Sequence, residues 1–148
     1  MKKLMFSVLA ACALARVTAM ASEGDWLTDL PKALAKAKAE NKMVLLDFTG
    51  SDWCGWCIKF NKEVLSTPGF KEYAAKNLVL VEVDFPNKKQ LAAELKKANA
   101  GLKDKYKVDG FPTFVVLNAE GKEVGRQVGY SEGGPKVFIA KLQKFKST

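Results

Sequence analysis

The pattern of apolar and polar positions predicts that this chain alternates helices with strands. Residues 25–41 carry apolar side chains at helical spacing, with lysines beside the stripe and Pro31 in the first turn. Residues 43–48 are apolar throughout except for Asp47, which is typical of a strand covered on both faces. A helix followed by a buried strand therefore opens the predicted domain.

The remaining pattern predicts three more strands and the helices that join them. After a turn at residues 49–52 come a helix from Cys54 to Ser66, a break at residues 67–69, a short helix over residues 70–76 and a strand over residues 78–85. Then follow a helix over residues 88–106 broken at 99–101, strands at 113–117 and 122–129 around a hairpin turn, and a last helix from Gly134 with Phe138, Leu142 and Phe145 in its core stripe.

This order predicts the α/β class, with a mixed and mainly four-stranded sheet, helices on both faces and an extra N-terminal helix. Strands joined through helices are expected to pair in parallel, and the two strands of the hairpin to pair antiparallel. On the strand at 78–85, the valines are expected on one face and Leu80, Glu82 and Asp84 on the other.

The first 21 residues resemble a signal peptide. Lys2 and Lys3 precede the apolar stretch at residues 4–14, and Ala19-Met20-Ala21 suits cleavage before Ser22. We therefore divide the chain into a signal peptide, residues 1–21, and one domain, residues 22–148. The alternative is a lipoprotein signal in which Cys12 becomes the lipidated first residue.

The charge of the chain does not favour nucleic-acid binding. Removal of Lys2, Lys3 and Arg16 lowers the formal net charge from +8 to +5. The basic residues are nearly all lysines, which alternate with acids or lie on polar helix faces, whereas nucleic-acid readers rely on arginine. We interpret them as a solvated surface.

The sequence Trp53-Cys54-Gly55-Trp56-Cys57 contains the chemistry of the chain. Two thiols at this spacing can close a small disulfide, or one can attack a foreign disulfide while the other resolves it. A zinc or iron–sulfur site would need about four ligands, but the chain has no histidine and no second cysteine pair after Cys12. A structural disulfide over so short a loop would stabilise little. We therefore expect a redox pair, with no metal and no cofactor beyond this disulfide.

These residues and a second motif, Val108-Asp109-Gly110-Phe111-Pro112-Thr113, resemble thioredoxin over residues 42–146. The resemblance implies the thioredoxin fold, with Cys54 as the nucleophile at a helix start and Cys57 as the more buried resolving thiol. It also implies a cis bond before Pro112 that faces the cysteines, and pairing of the Phe111 backbone with an extended substrate. The alternative for Pro112 is a trans proline that only starts a strand.

The resemblance further implies that Asp47 is a buried carboxylate that relays a proton from Cys57. The alternative is an Asp that reaches the surface at a strand end. Asp47 lies seven residues before Cys54, one more than in thioredoxin, and the lysine that thioredoxin pairs with this acid has no counterpart; Glu82 and Asp84 are there instead. An acid inside an apolar strand nevertheless makes Asp47 a candidate catalytic residue.

Substrate contacts are assigned to Trp53, Gly55, Trp56, Phe111 and Pro112. With Tyr130, the aromatic members are expected to form an apolar collar around the dithiol, although Trp53 could equally pack on its own domain. Trp56 replaces the proline of thioredoxin and brings no charge, so the sequence does not set the reduction potential.

Together these features predict an exported, monomeric thiol:disulfide oxidoreductase, periplasmic in a Gram-negative cell, that reduces protein disulfides. The expected partners are disulfide-containing or thiol-containing proteins and a membrane thiol carrier that donates electrons. Two alternatives stay open. One is an oxidase or isomerase of the same fold, and the other is a redox-silent binding or chaperone-like module.

Overall fold

The computed structural model describes residues 25–146. The predicted signal peptide and the alternative lipidation site at Cys12 lie outside these described residues. The five α-helices are α1 Leu30–Glu40, α2 Gly55–Phe60, α3 Pro68–Asn77, α4 Ala93–Lys105 and α5 Gly134–Lys146. The four strands are β1 Met43–Thr49, β2 Leu78–Asp84, β3 Thr113–Leu117 and β4 Glu123–Val128.

The strands form one mixed sheet in the order β2-β1-β3-β4, which confirms the predicted fold class. β1 and β2 pair in parallel, and β3 and β4 form the antiparallel hairpin. The expectation that all helix-joined strands are parallel was wrong for β3, which runs antiparallel to β1. After α4 the chain enters the sheet from the opposite end, so the central pair β1–β3 is antiparallel.

The core has two layers because alternate residues of each strand point to opposite faces of the sheet. One face, with Val44, Leu46 and Phe48 of β1, packs on α1 and on the end of α4. The other face, with Met43 and Leu45, packs on α2, α3 and α5. Asp47 follows the same alternation and therefore lies on the second face, beneath α2.

The N-terminal segment departs from the predicted helix over residues 25–41. Asp29 caps α1 by accepting a hydrogen bond from the Lys32 N–H, so the helix begins only at Leu30. Upstream of the cap, Leu27 forms a parallel bridge to Val81, donating to the Leu80 carbonyl at 2.9 Å and accepting from the Glu82 N–H at 2.8 Å. This extended segment covers the edge of β2, which pattern alone cannot distinguish from a first helical turn.

Two other helices also differ from the prediction. The helix expected from Cys54 to Ser66 becomes π-helical over residues 61–65, where the Ser66 N–H bonds to the Asn61 carbonyl, and this wider turn buries the consecutive residues Val64 and Leu65. α4 starts at Ala93 and runs through Gly101 without the predicted break. Its buried residue is Asn99, whose amide donates to the Asp84 carbonyl, while Ala98 of the expected apolar stripe is exposed. Among the described helices none has the length and hydropathy needed to cross a bilayer.

Candidate active site

The two cysteines lie where a loop after β1 turns into α2. Cys54 is the N-cap of α2, and Cys57 lies within its first turn. The two residues form a disulfide, so the structure holds the oxidised state. The Cys57 backbone N–H points to Cys54 Sγ at 3.2 Å. Both residues are buried, with exposed fractions of 7% for Cys54 and 4% for Cys57, so their burial differs less than expected.

The loop that precedes Cys54 is braced by two aspartates. Asp84 at the end of β2 accepts hydrogen bonds from the Ser51 N–H at 2.9 Å and the Ser51 hydroxyl at 2.6 Å. Asp52 accepts from the backbone N–H groups of Asn87, Lys88 and Lys89, and these bonds lower the pKa of its carboxyl. The segments before Cys54 and after β2 therefore hold each other in place.

Gly50 provides the room for this loop. The indole of Trp53 lies directly over it, so a Cβ at position 50 would meet the ring. The Trp53 indole N–H donates to the Phe85 carbonyl at 2.7 Å, which ties the tryptophan to the segment after β2. The extra residue between Asp47 and Cys54 is thus absorbed in a tightly packed loop.

Asp47 is buried below this loop, with an exposed fraction of 8%. Its Oδ1 atom has no hydrogen-bond partner among the described residues. Burial, followed by the nearby charges of Glu82 and Asp84, raises the pKa of Asp47 to about 8. Asp47, Glu82 and Cys57 line one cavity of about 370 Å³, so the structure brings the carboxyl and the inner cysteine to the same space.

Aromatic side chains form two groups beside the cysteines. The first joins Trp53 edge-on to Phe111 at 6.1 Å between ring centroids, and Phe111 stacks on Phe85 at 5.2 Å. Trp53 therefore packs on its own domain and is still 46% exposed, so both expectations for it hold in part.

The second group joins Trp56 to Tyr130, with ring centroids 5.1 Å apart and Trp56 59% exposed. The Lys59 ammonium lies over both rings, at 5.4 Å from Trp56 and 4.8 Å from Tyr130. The Tyr130 hydroxyl donates to Glu63 at 2.6 Å. This hydrogen bond and the cation fix the position of Tyr130 at the collar.

The bond between Phe111 and Pro112 is cis, as the resemblance implies. Pro112 is buried, and its carbonyl accepts a hydrogen bond from the Gly129 N–H at 2.8 Å. Gly55, a predicted substrate contact, is exposed in the first turn of α2 with open space beside it.

Several residues at the site escaped the sequence reasoning. The turn pattern at Ser51 and Asp52 predicts no role at the site, and the sequence places Glu82 and Asp84 only where thioredoxin has a lysine. Their one signal was the alternation of β2, which placed both acids on the Asp47 face. Among residues 25–146 no cluster of three or more histidine, cysteine or acidic side chains is arranged to hold a metal ion.

Comparison with known proteins places this geometry in a family. Residues 30–146 match the family model of the thioredoxin-like domain. The chain is 43% identical over 112 residues to the disulfide bond reductase DsbH of Chlamydia pneumoniae, an alignment that covers 76% of this chain and 67% of that protein. It is 35% identical over 101 residues to the thioredoxin-related protein DsbJ of the same organism, covering 68% of this chain but only 29% of DsbJ.

Solved structures agree with the sequence matches. A structure described as DsbH oxidoreductase superposes with a TM-score of 0.77 and 36% identity, covering 96% of this chain and 94% of that one. A thioredoxin from Thermus thermophilus gives a TM-score of 0.62 at 28% identity, with coverage of 83% and 87%. The chain therefore belongs to the thioredoxin-like family.

Proposed function

We propose that this protein reduces disulfide bonds of other proteins outside the cytoplasm, with Cys54 as the attacking thiolate and Cys57 as the resolving thiol. Family membership and the Cys54–Cys57 disulfide make the chain a thiol–disulfide oxidoreductase.

The observation that carries the assignment is the contact between the Cys57 N–H and Cys54 Sγ at a helix start. The backbone N–H donor and the positive end of the helix dipole both favour a thiolate on Cys54. This thiolate attacks a substrate disulfide, forms a mixed disulfide and releases the first substrate thiolate, which takes a proton. Cys57 then loses its proton and attacks Cys54 Sγ, which releases the second substrate thiol and leaves the Cys54–Cys57 disulfide.

Reduction is favoured over oxidation for two reasons. The relative that matches at 43% identity is called a disulfide bond reductase. The dipeptide Gly55-Trp56 contributes no positive charge that would stabilise the reduced dithiol and make the pair a strong oxidant. The exposed rings of Trp53 and Trp56 beside the disulfide suit extended, apolar protein segments as substrates.

The N-terminal sequence supports the proposed compartment. Cleavage of a signal peptide before Ser22 would release a monomeric domain, periplasmic in a Gram-negative cell. A membrane thiol carrier that faces this compartment would return two electrons to the Cys54–Cys57 disulfide. Mass spectrometry of the protein expressed in such a cell tests the processing: an N-terminus at Ser22 supports the proposal, and a lipidated N-terminal Cys12 supports the lipoprotein alternative.

Insulin reduction by dithiothreitol tests the activity. We expect the purified protein to accelerate precipitation of the insulin B chain, and Cys54→Ser to return the rate to that of dithiothreitol alone. Cys57→Ser should instead accumulate a mixed disulfide with insulin, while Lys71→Gln, a change at an exposed position on α3, should match the parent. A parent protein with no effect on the rate would favour the redox-silent binding module.

Equilibration of the cysteine pair with glutathione tests the direction. A reductant should have a potential of about −270 mV, as thioredoxin does, whereas a value of about −120 mV would indicate an oxidase.

A further inference from the structure

Asp47 and Glu82 form a pair of carboxyls beneath the dithiol. They are register partners on the parallel strands β1 and β2, whose backbones are about 4.8 Å apart, so their side chains leave the same face of the sheet. Both line the cavity of about 370 Å³ that also contains Cys57. Asp47 is buried with one oxygen unpaired, whereas Glu82 is half-buried and so also reaches solvent.

We propose that Glu82 is a positioning residue that keeps Asp47 protonated beside Cys57 and carries its proton to and from solvent. This role rests on the proposed thiol–disulfide exchange. The resemblance to thioredoxin implies no role for Glu82, since thioredoxin has a lysine in this region.

Glu82 differs from the neighbouring acid Asp84 in its hydrogen bonds and ion pairs. Asp84, also on β2, accepts hydrogen bonds from the backbone N–H and the hydroxyl of Ser51. Its carboxylate also pairs with the Lys89 ammonium, which lies 3.4 Å away. Within residues 25–146 no group donates a hydrogen bond to the Glu82 carboxyl, so it is free to exchange a proton. Burial, and then the charge of Asp84, raise the pKa of Glu82, while Lys89 lowers it.

The other elements around Asp47 contribute little charge. Its partner on β3 is Phe114, and the helical segment above it contributes Lys62, an exposed side chain at the cavity lining. Glu82 and Asp84 are therefore the charges that oppose ionisation of Asp47. A polar space of this volume accommodates several waters, each of which occupies about 30 Å³ in the liquid, and these can link the two carboxyls.

The proposed path supplies the proton that Cys57 takes up when its disulfide is reduced. When a dithiol donor reduces the protein, its thiolate attacks Cys54 Sγ, the bond to Cys57 breaks, and Cys57 leaves with the electron pair. Asp47 gives its proton to the Cys57 thiolate and becomes a carboxylate. Glu82 then returns a proton from solvent to Asp47. The second donor thiol attacks the mixed disulfide, which leaves Cys54 reduced and the donor oxidised. During substrate reduction the proton follows the reverse path from Cys57.

Glu82→Gln tests the proposal because it removes the charge and keeps the shape. Titration of the Asp47 side-chain carbon by NMR in the oxidised full-length protein should show a midpoint lower by about half a pH unit or more. The pH profile for resolution of a Cys54 mixed disulfide with a small peptide should move to lower pH by the same amount. A purely structural role of Glu82 would not move both.

Two further variants serve as controls. Glu82→Asp keeps the charge and should restore the titration of Asp47 towards that of the parent. Glu72→Gln removes an equal charge from an exposed position on α3 and should change neither measurement. An Asp47 midpoint in Glu82→Gln that equals the parent value would overturn the proposal, as would a shifted midpoint with an unshifted rate profile.

The outcome for Glu82 can be separated from the outcome for the proposed function. The titration of Asp47 is read in the oxidised protein without any substrate. A parent protein that fails to reduce insulin would remove the proposed function, whereas an unchanged Asp47 titration in an active protein would remove only the role of Glu82.

Discussion

Asp84 accepts two hydrogen bonds from Ser51, one from its backbone N–H and one from its hydroxyl. The contact joins the end of β2 to the loop that leads into the dithiol, across 33 positions of sequence. Asp84 is almost fully buried, and its carboxylate oxygens are stabilised by these donors and by Lys89. The position of Cys54 thus depends on a neighbouring strand as well as on its own helix.

Loss of the Ser51 hydroxyl should weaken the fold. We expect Ser51→Ala to lower the free energy of unfolding by about 2 kcal/mol, because a hydrogen bond to a buried charge is lost. Urea denaturation measures the change, and Ser66→Ala, where an exposed hydroxyl contacts Asn61, is the matched control. Equal stabilities of the two variants would contradict a bracing role for Ser51.

Asp52→Ala should release the segment after β2. The amides of Asn87, Lys88 and Lys89 lose their acceptor, so their hydrogen exchange should accelerate by about tenfold or more. The Phe85 amide, which bonds to the Thr49 carbonyl, provides an internal control and should exchange as in the parent. If exchange of all four amides stays the same, Asp52 does not hold this segment.

Asp47→Asn should stabilise the oxidised protein at neutral pH. The pKa of Asp47 is about 8 in the folded chain against an ordinary value of 3.8, so between these values the folded state keeps a proton that the unfolded state has released. This contribution to stability is fully present below the ordinary pKa and is lost as pH rises towards 8. Asparagine mimics the protonated form and avoids the loss, so the variant should gain on the order of 3 kcal/mol at pH 7.

Urea unfolding of parent and variant at pH 4 and at pH 7 measures this difference. Near pH 4 the two proteins should have similar stability, and the gap should open as pH rises. A gap that is the same at both values would mean that Asp47 titrates normally in the folded chain.

Trp56→Ala should weaken the binding of protein substrates. Truncation of this exposed ring removes an aromatic contact of about 1 kcal/mol, so KM for a disulfide-linked protein such as insulin should rise about fivefold. Reduction of a small aromatic disulfide such as dithiobis(nitrobenzoate) should change less. Val137→Ala, a truncation of an exposed residue on α5, should leave KM unchanged. An equal effect of Trp56→Ala on both substrates would assign Trp56 to the dithiol chemistry instead.

The sequence was most informative where a local rule and the tertiary structure agree. Burial repeats with the period of each strand or helix, so a local pattern of apolar residues predicts it well. The predictions are confirmed for the continuous apolar run of β1, for the alternating faces of β2 and for the apolar stripe of α5. The predictions failed where packing overrides pattern. Leu27 pairs with the edge of β2, a π-helical turn buries Val64 with Leu65, and α4 continues through Gly101.

By itself, the sequence determined the fold class, the cysteine pair, and the resemblance that predicted the cis bond before Pro112. Each of these three features is carried by short motifs or patterns, in which the residue types and their spacing along the chain can be read directly. Only the tertiary structure decided that Asp47 faces Cys57 across a cavity, that Glu82 stands beside it, and that Ser51 is held by Asp84. Such contacts join residues distant in sequence, and the energy of a buried charge depends on the groups that folding brings around it.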